Sequence, residues 1–169
     1  MKIALISLTL ALAASPAAPT AMPLPPQVLN IVNDMKAVCR AAGGQPGASP
    51  GLVLSADLNG DGRVDHVIDE AAFDCEGAAS LFTGAGGGHM QVFVTAADGN
   101  AALAFEHGAD GLRVEGGALW LAVGGPLCGQ QVTDNMSHSA MQACWRPLQW
   151  LAAQRRFDFA PLSRVKPYR

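Results

Sequence analysis

One short stretch constrains this chain more than any other. It reads Asp57-Leu58-Asn59-Gly60-Asp61-Gly62-Arg63-Val64-Asp65. Side-chain oxygens recur at every second residue, interrupted only at Arg63. Three carboxylates held this close repel one another, so a compact loop here needs positive charge to neutralise them. Hard divalent cations do this. Calcium takes about six to eight oxygens at roughly 2.3–2.6 Å. Counting Asp57 as the first position, the side chains of Asp57, Asn59, Asp61 and Asp65 and the backbone carbonyl of Arg63 form a suitable ligand ladder for Ca2+. Gly62 sits where the backbone must turn sharply, at a φ that a Cβ would penalise.

The flanks decide what kind of loop this is. A helical EF-hand closes with a bidentate Glu at its twelfth position; Ile68 stands there instead. Downstream, Val64, His66 and Ile68 alternate with Asp65, Val67 and Asp69, a β pattern. Upstream, Gly51–Ala56 is a short apolar run without helical spacing. The expectation is strand–loop–strand. This resembles the calcium loop of FG-GAP and VCBS-type repeats, D-x-[DN]-x-D-G-x-x-D between two strands. Only one copy is present, so the resemblance does not imply a propeller. The competing interpretation is a metal-free polar hairpin, since Asn59-Gly60 and Asp61-Gly62 are both good turn pairs.

The chain begins Met-Lys2, continues with an apolar run to Ala14, and reaches Ser15-Pro16-Ala17. That predicts a signal peptide over 1–17, too short for a transmembrane helix. The expected location is periplasmic or extracellular, with no transmembrane anchor after processing. Without Lys2, ten basic side chains face fourteen acidic ones, a formal charge of −4. Such a balance argues against nucleic acid as a partner.

Residues 18–26 read as an Ala/Pro-rich lead, 27–160 as a single domain, and 161–169 as a basic tail. Pro25-Pro26 opens a helix, and Val28, Ile31, Val32, Met35, Val38 and Cys39 follow at helical spacing until Gly43-Gly44 stops it. Beyond residue 89, strands alternate with tight turns: 90–95, 101–106, 112–115, 118–123 and a last one around Phe157 and Phe159. The predicted fold is α+β: a mostly antiparallel sheet with one N-terminal helix packed on it.

Cys39, Cys75, Cys128 and Cys144 are an even set in a chain expected to be exported, so two disulfides are the default. The pairing Cys39–Cys75 and Cys128–Cys144 closes the shorter loops and is favoured. Zinc is disfavoured, because no CxxC or HxxxH spacing appears. Half of the fourteen acids lie between residues 57 and 76. Asp69, Glu70 and Asp74 among them are candidates to complete a coordination shell, or a solvated face. Five of the eleven basic residues fall in the last fifteen (Arg155, Arg156, Arg164, Lys166, Arg169). Solvation is the first expectation for them, with docking on the acidic region or an anionic surface as alternatives.

No catalytic constellation is recognisable. Gly84–Gly88 lacks the spacing of a phosphate loop. Ser137-His138-Ser139 lacks a nucleophile-elbow context. Cys144-Trp145 has the dipeptide of papain-like proteases without the rest of the signature. The set Cys39, Asp57–Arg63, Cys75–Ser80, Cys128-Gly129 and Cys144–Leu148 is similar to an uncharacterised family of exported bacterial proteins, which implies export and no particular activity. The functional expectation is a structural calcium site in a domain that binds a protein or envelope partner. A metal-assisted hydrolase and an inhibitor of another exported protein are the alternatives.

Overall fold

The computed structural model describes residues 23–84, 86–137 and 140–168. The expected signal peptide, His138, Ser139 and Arg169 lie outside the described residues. The chain opens with helix α1 (Pro26–Ala41) and the short β1 (Gln45–Pro46). Strands β2 (Val53–Ala56) and β3 (Asp65–Asp69) follow. Next come β4 (Cys75–Glu76), β5 (Thr83–Gly84), β6 (Gly87–Thr95) and β7 (Ala101–Ala109). The second half contributes β8 (Gly111–Glu115), β9 (Ala118–Gly124), β10 (Ala143–Leu151), β11 (Arg156–Phe159) and β12 (Lys166–Pro167). Every strand pair is antiparallel. The α+β expectation holds.

The strands form two five-stranded sheets and a two-stranded ladder, β1 with β4. Sheet I is β2-β3-β6-β5, with β7 also on β6. Sheet II is β11-β10-β9-β8, with β12 also on β10. The sequence pattern suggested one meander running from residue 90 to 123. The chain instead leaves sheet I at Asp110 and starts sheet II at Gly111. Alternation alone cannot distinguish these, because it records only which face of a strand is buried.

Two apolar clusters make three layers. Val67, Met90 and Val92 of sheet I meet Leu119, Leu121, Val123, Leu148 and Phe157 of sheet II. On the other face of sheet I, Ile68 and Phe93 receive Val28, Val32, Met35 and Cys39 of α1. β3 is therefore buried on both faces: Val67 and Ile68 are fully buried neighbours that point opposite ways.

Disulfides join Cys39 to Cys75 and Cys128 to Cys144. The first ties the end of α1 to the β1–β4 ladder, and the second staples the segment after β9 to β10. Cys144 therefore has no thiol to act as a nucleophile. The stretch expected to be a basic tail folds back as β12. Cys144 and Trp145 pair with Pro167 and Lys166. Lys166 Nζ caps the Trp120 ring at 4.3 Å and bonds the Glu115 carboxylate. This end of the chain docks on sheet II, away from the acidic loop.

Candidate metal-binding loop

The loop joins β2 to β3, whose register runs from Val53↔Ile68 to Ala56↔Asp65. Strand–loop–strand is what the flanks predicted. Asp57 organises it. Its Oδ1 accepts the N–H groups of Gly60 (2.8 Å) and Asp61 (3.2 Å), and its Oδ2 accepts Gly62 N–H at 2.9 Å. Asn59 Oδ1 accepts Asp61 N–H, and Asp61 Oδ1 accepts Arg63 N–H, each at 2.9 Å. These closures require left-handed backbone at Gly60 (φ 79°) and Gly62 (φ 81°). Leu58, between two polar residues, turns inward and joins the core between the sheets.

Asp65 lies beneath the loop, with no exposed surface. Its two oxygens accept Leu58 N–H (3.1 Å) and Thr95 N–H (3.0 Å). It thus ties the loop to the end of β6. Burial pushes its carboxyl above the usual range; the two N–H donors act against that shift, and the Asp61 charge adds to it. Asp61 shows the opposite shift. The Arg63 N–H, helped by the Asn59 amide and the Arg63 guanidinium, holds it below the usual range, with desolvation acting against them. The Arg63 guanidinium bonds Asp61 Oδ2 and donates from Nε to Thr95 O at 3.0 Å.

The loop therefore brings Asp57, Asn59, Asp61 and Arg63 together at the surface and places Asp65 below them. Among the described residues, no three His, Cys, Asp or Glu side chains converge as a metal cage. The negative charge is met instead by backbone N–H groups and by Arg63. The donor set still fits a hard cation. It is all oxygen, and a carboxylate oxygen that accepts one N–H retains a second lone pair.

The further acids do not complete a shell. Asp69 lies four residues along β3, about 13 Å away at the strand rise, where it accepts Ala71 N–H at 3.0 Å. Glu70 accepts Gln91 Nε2 at 2.9 Å and faces His89 Nδ1 at 3.3 Å. Asp74 follows, its N–H donated to Ser49 Oγ at 2.8 Å. Asp69 and Glu70 lie at the other end of β3, and Asp74 lies beyond them beside Gly47 and Ser49. His89 lies between Glu70 and Glu106, the latter 3.7 Å from Nε2. The two glycines directly before it pack closely: a Cβ on Gly87 would lie 2.0 Å from Ala109 O, and one on Gly88 2.5 Å from Ala71 Cβ.

His66 is the polar residue that the sequence reading passed over. It is 6 % exposed, and its Nδ1 lies 3.0 Å from Ser55 Oγ on the neighbouring strand. Burial pushes its imidazole below the usual range, against the nearby Asp65 charge. Its place in the alternation of β3 was the available signal.

No family model, curated protein or solved structure matches the chain.

Proposed function

We propose that the Asp57–Asp65 loop binds calcium and that this is the structural site of an exported domain with a binding role at the cell envelope. The observation that carries the reading is the loop itself. Alternating oxygen donors are wound around Gly60 and Gly62 in left-handed conformation, with Asp57 oriented by three backbone N–H groups. Asp57, Asn59, Asp61, Asp65 and the Arg63 carbonyl are the ligands proposed. Calcium supplies the charge that Arg63 otherwise provides, so the guanidinium leaves Asp61 when the ion binds. The resemblance to FG-GAP and VCBS-type loops, and to a family of exported bacterial proteins, belongs to the same proposal. Two disulfides suit an oxidising compartment. Among the described residues no helix is long and apolar enough to cross a membrane.

A thermal melt tests it. Extracellular calcium modules bind at about 10⁻⁴–10⁻³ M, and linkage at ten times Kd adds roughly 1.4 kcal/mol of stability. Calcium should raise the wild-type Tm above its value in EDTA, and magnesium should do much less, because it demands tighter octahedral geometry. Asp61→Ala should lose the response. Gly62→Val should lose it with every ligand in place, because only backbone φ forbids the side chain there; nothing lies within 4 Å of its Cβ. Identical wild-type melts in calcium and EDTA, with no heat in a calcium titration, would reduce the stretch to a polar hairpin. Export is checked by the amino terminus of the mature protein, expected between Ala14 and Pro19.

A further inference from the structure

A cleft of about 590 Å³ opens beside the loop. Leu24 and Pro25, leading into α1, form one wall. Arg63 and Val64 form the second, and Ala97 in the β6–β7 turn the third. His66 also lines it. The volume lies within the roughly 300–1,000 Å³ typical of small-molecule sites, and the walls are mainly aliphatic and proline surface.

The polar groups narrow the choice of ligand. Arg63 brings the only formal charge among the lining residues, and that charge is already engaged by Asp61, with Nε on Thr95 O. An anionic ligand would have to compete with Asp61 for it. A cationic one would find no carboxylate in the lining. His66 is different. The residue is 6 % exposed, its Nδ1 is engaged by Ser55 Oγ, and no group bonds its Nε2 among the described residues. With Nδ1 engaged, Nε2 is the ring nitrogen left to a molecule in the cleft; it keeps solvent contact there, so a ligand group on it would take the place of water. Whether Nε2 carries the proton depends on the direction of the Ser55 bond. A hydroxyl both donates and accepts, so it satisfies either tautomer.

We propose that this cleft binds a small, neutral, apolar molecule bearing one hydroxyl, with the apolar body between the proline wall and Val64 and the hydroxyl on His66 Nε2. This goes beyond calcium binding and does not depend on it.

The test is a titration of the full chain in EDTA buffer, so that the outcome is independent of the metal. The probes are 2-naphthol, 2-methylnaphthalene and 2-naphthoate, followed by backbone amide NMR shifts. The expected result is saturable 2-naphthol binding with shifts at Val64, His66 and Ala97. 2-Methylnaphthalene, which keeps the shape and loses the hydrogen bond, should bind about fivefold more weakly, the size of one net hydrogen bond. 2-Naphthoate should be weaker still. Ala97→Trp should block all three. His66→Phe should erase the preference for 2-naphthol over 2-methylnaphthalene. Absence of saturable binding, or retained affinity in Ala97→Trp, overturns the site. Equal or tighter 2-naphthoate binding overturns the neutral class. A preference that survives His66→Phe overturns the role of His66. Should that variant not fold, the wild-type preference and Ala97→Trp still decide the proposal.

Discussion

Gly44 gives the sharpest test of how the α1 end is held. It is buried directly after the helix, and its N–H donates to Cys39 O at 2.9 Å. Its φ lies outside the left-handed region, so the backbone itself accepts alanine. Space does not. A Cβ there would lie 2.5 Å from Cys75 Sγ, 3.1 Å from Cys39 Sγ and 3.0 Å from Glu76 O. Gly44→Ala should therefore cost about 1–3 kcal/mol as overpacking. The disulfide spans a separation of 36 residues. Chain-entropy reasoning assigns such a crosslink about 4 kcal/mol, which is the expected loss in the Cys39→Ala/Cys75→Ala protein. In that background both sulfurs are gone, and of the three nearest atoms only Glu76 O remains against the new methyl. Gly44→Ala should then cost at least about 1 kcal/mol less than in the bridged protein, a coupling that double-mutant cycles resolve. Urea unfolding of the four proteins measures it. An equal cost of Gly44→Ala in both backgrounds, or a neutral effect in the bridged one, would refute the claim that the disulfide fills the space beside Gly44.

Asp65→Ala leaves the N–H groups of Leu58 and Thr95 without their acceptors, so it should lose about 2–4 kcal/mol even in EDTA. Unchanged denaturation in EDTA would mean that the tie to β6 is dispensable. For Asp69, burial raises the folded carboxyl above its ordinary value of 3.8, with the Ala71 and Ala72 N–H groups opposing. The folded state then holds the proton to higher pH than the unfolded one, so the penalty is absent below the unfolded pKa and complete above the folded pKa. Asp69→Asn keeps an acceptor for Ala71 N–H and should melt higher than wild type at pH 7. The two curves should converge towards pH 3.5. Lys166→Ala removes the cation over Trp120 and the bond to Glu115, costing about 0.5–1.5 kcal/mol. Tryptophan emission should shift red as β12 loosens, and an unshifted spectrum would show that β12 holds without Lys166.

Local patterns were legible in the chain itself. The apolar spacing from Val28 to Cys39 is enough to specify an amphipathic helix, and that stripe is the face α1 buries. Oxygen alternation with Gly62 specified a tight loop between strands, because positive φ at that position is a backbone requirement independent of context. The cysteine pairs followed from loop length. Each of these is encoded within a few neighbouring residues or in a count along the chain.

What the tertiary structure alone decided is which strand meets which. Met90 and Val92 alternate in the same way whether their strand lies in one long meander or in the first of two sheets. The packing of Val67 and Met90 against Leu121 and Leu148 is what the second sheet gains, an apolar core between two sheets. Likewise, Asp65 reads as one more ligand in a ladder. It becomes an internal tie only because the β3–β6 pairing delivers Thr95 N–H to its carboxylate. His89 acquires Glu106, and Lys166 acquires Glu115 and Trp120, by the same route. Hydrogen bonds and ion pairs between residues thirty or fifty positions apart depend on sheet register, and register is settled by the burial of whole faces rather than by any local run of residues.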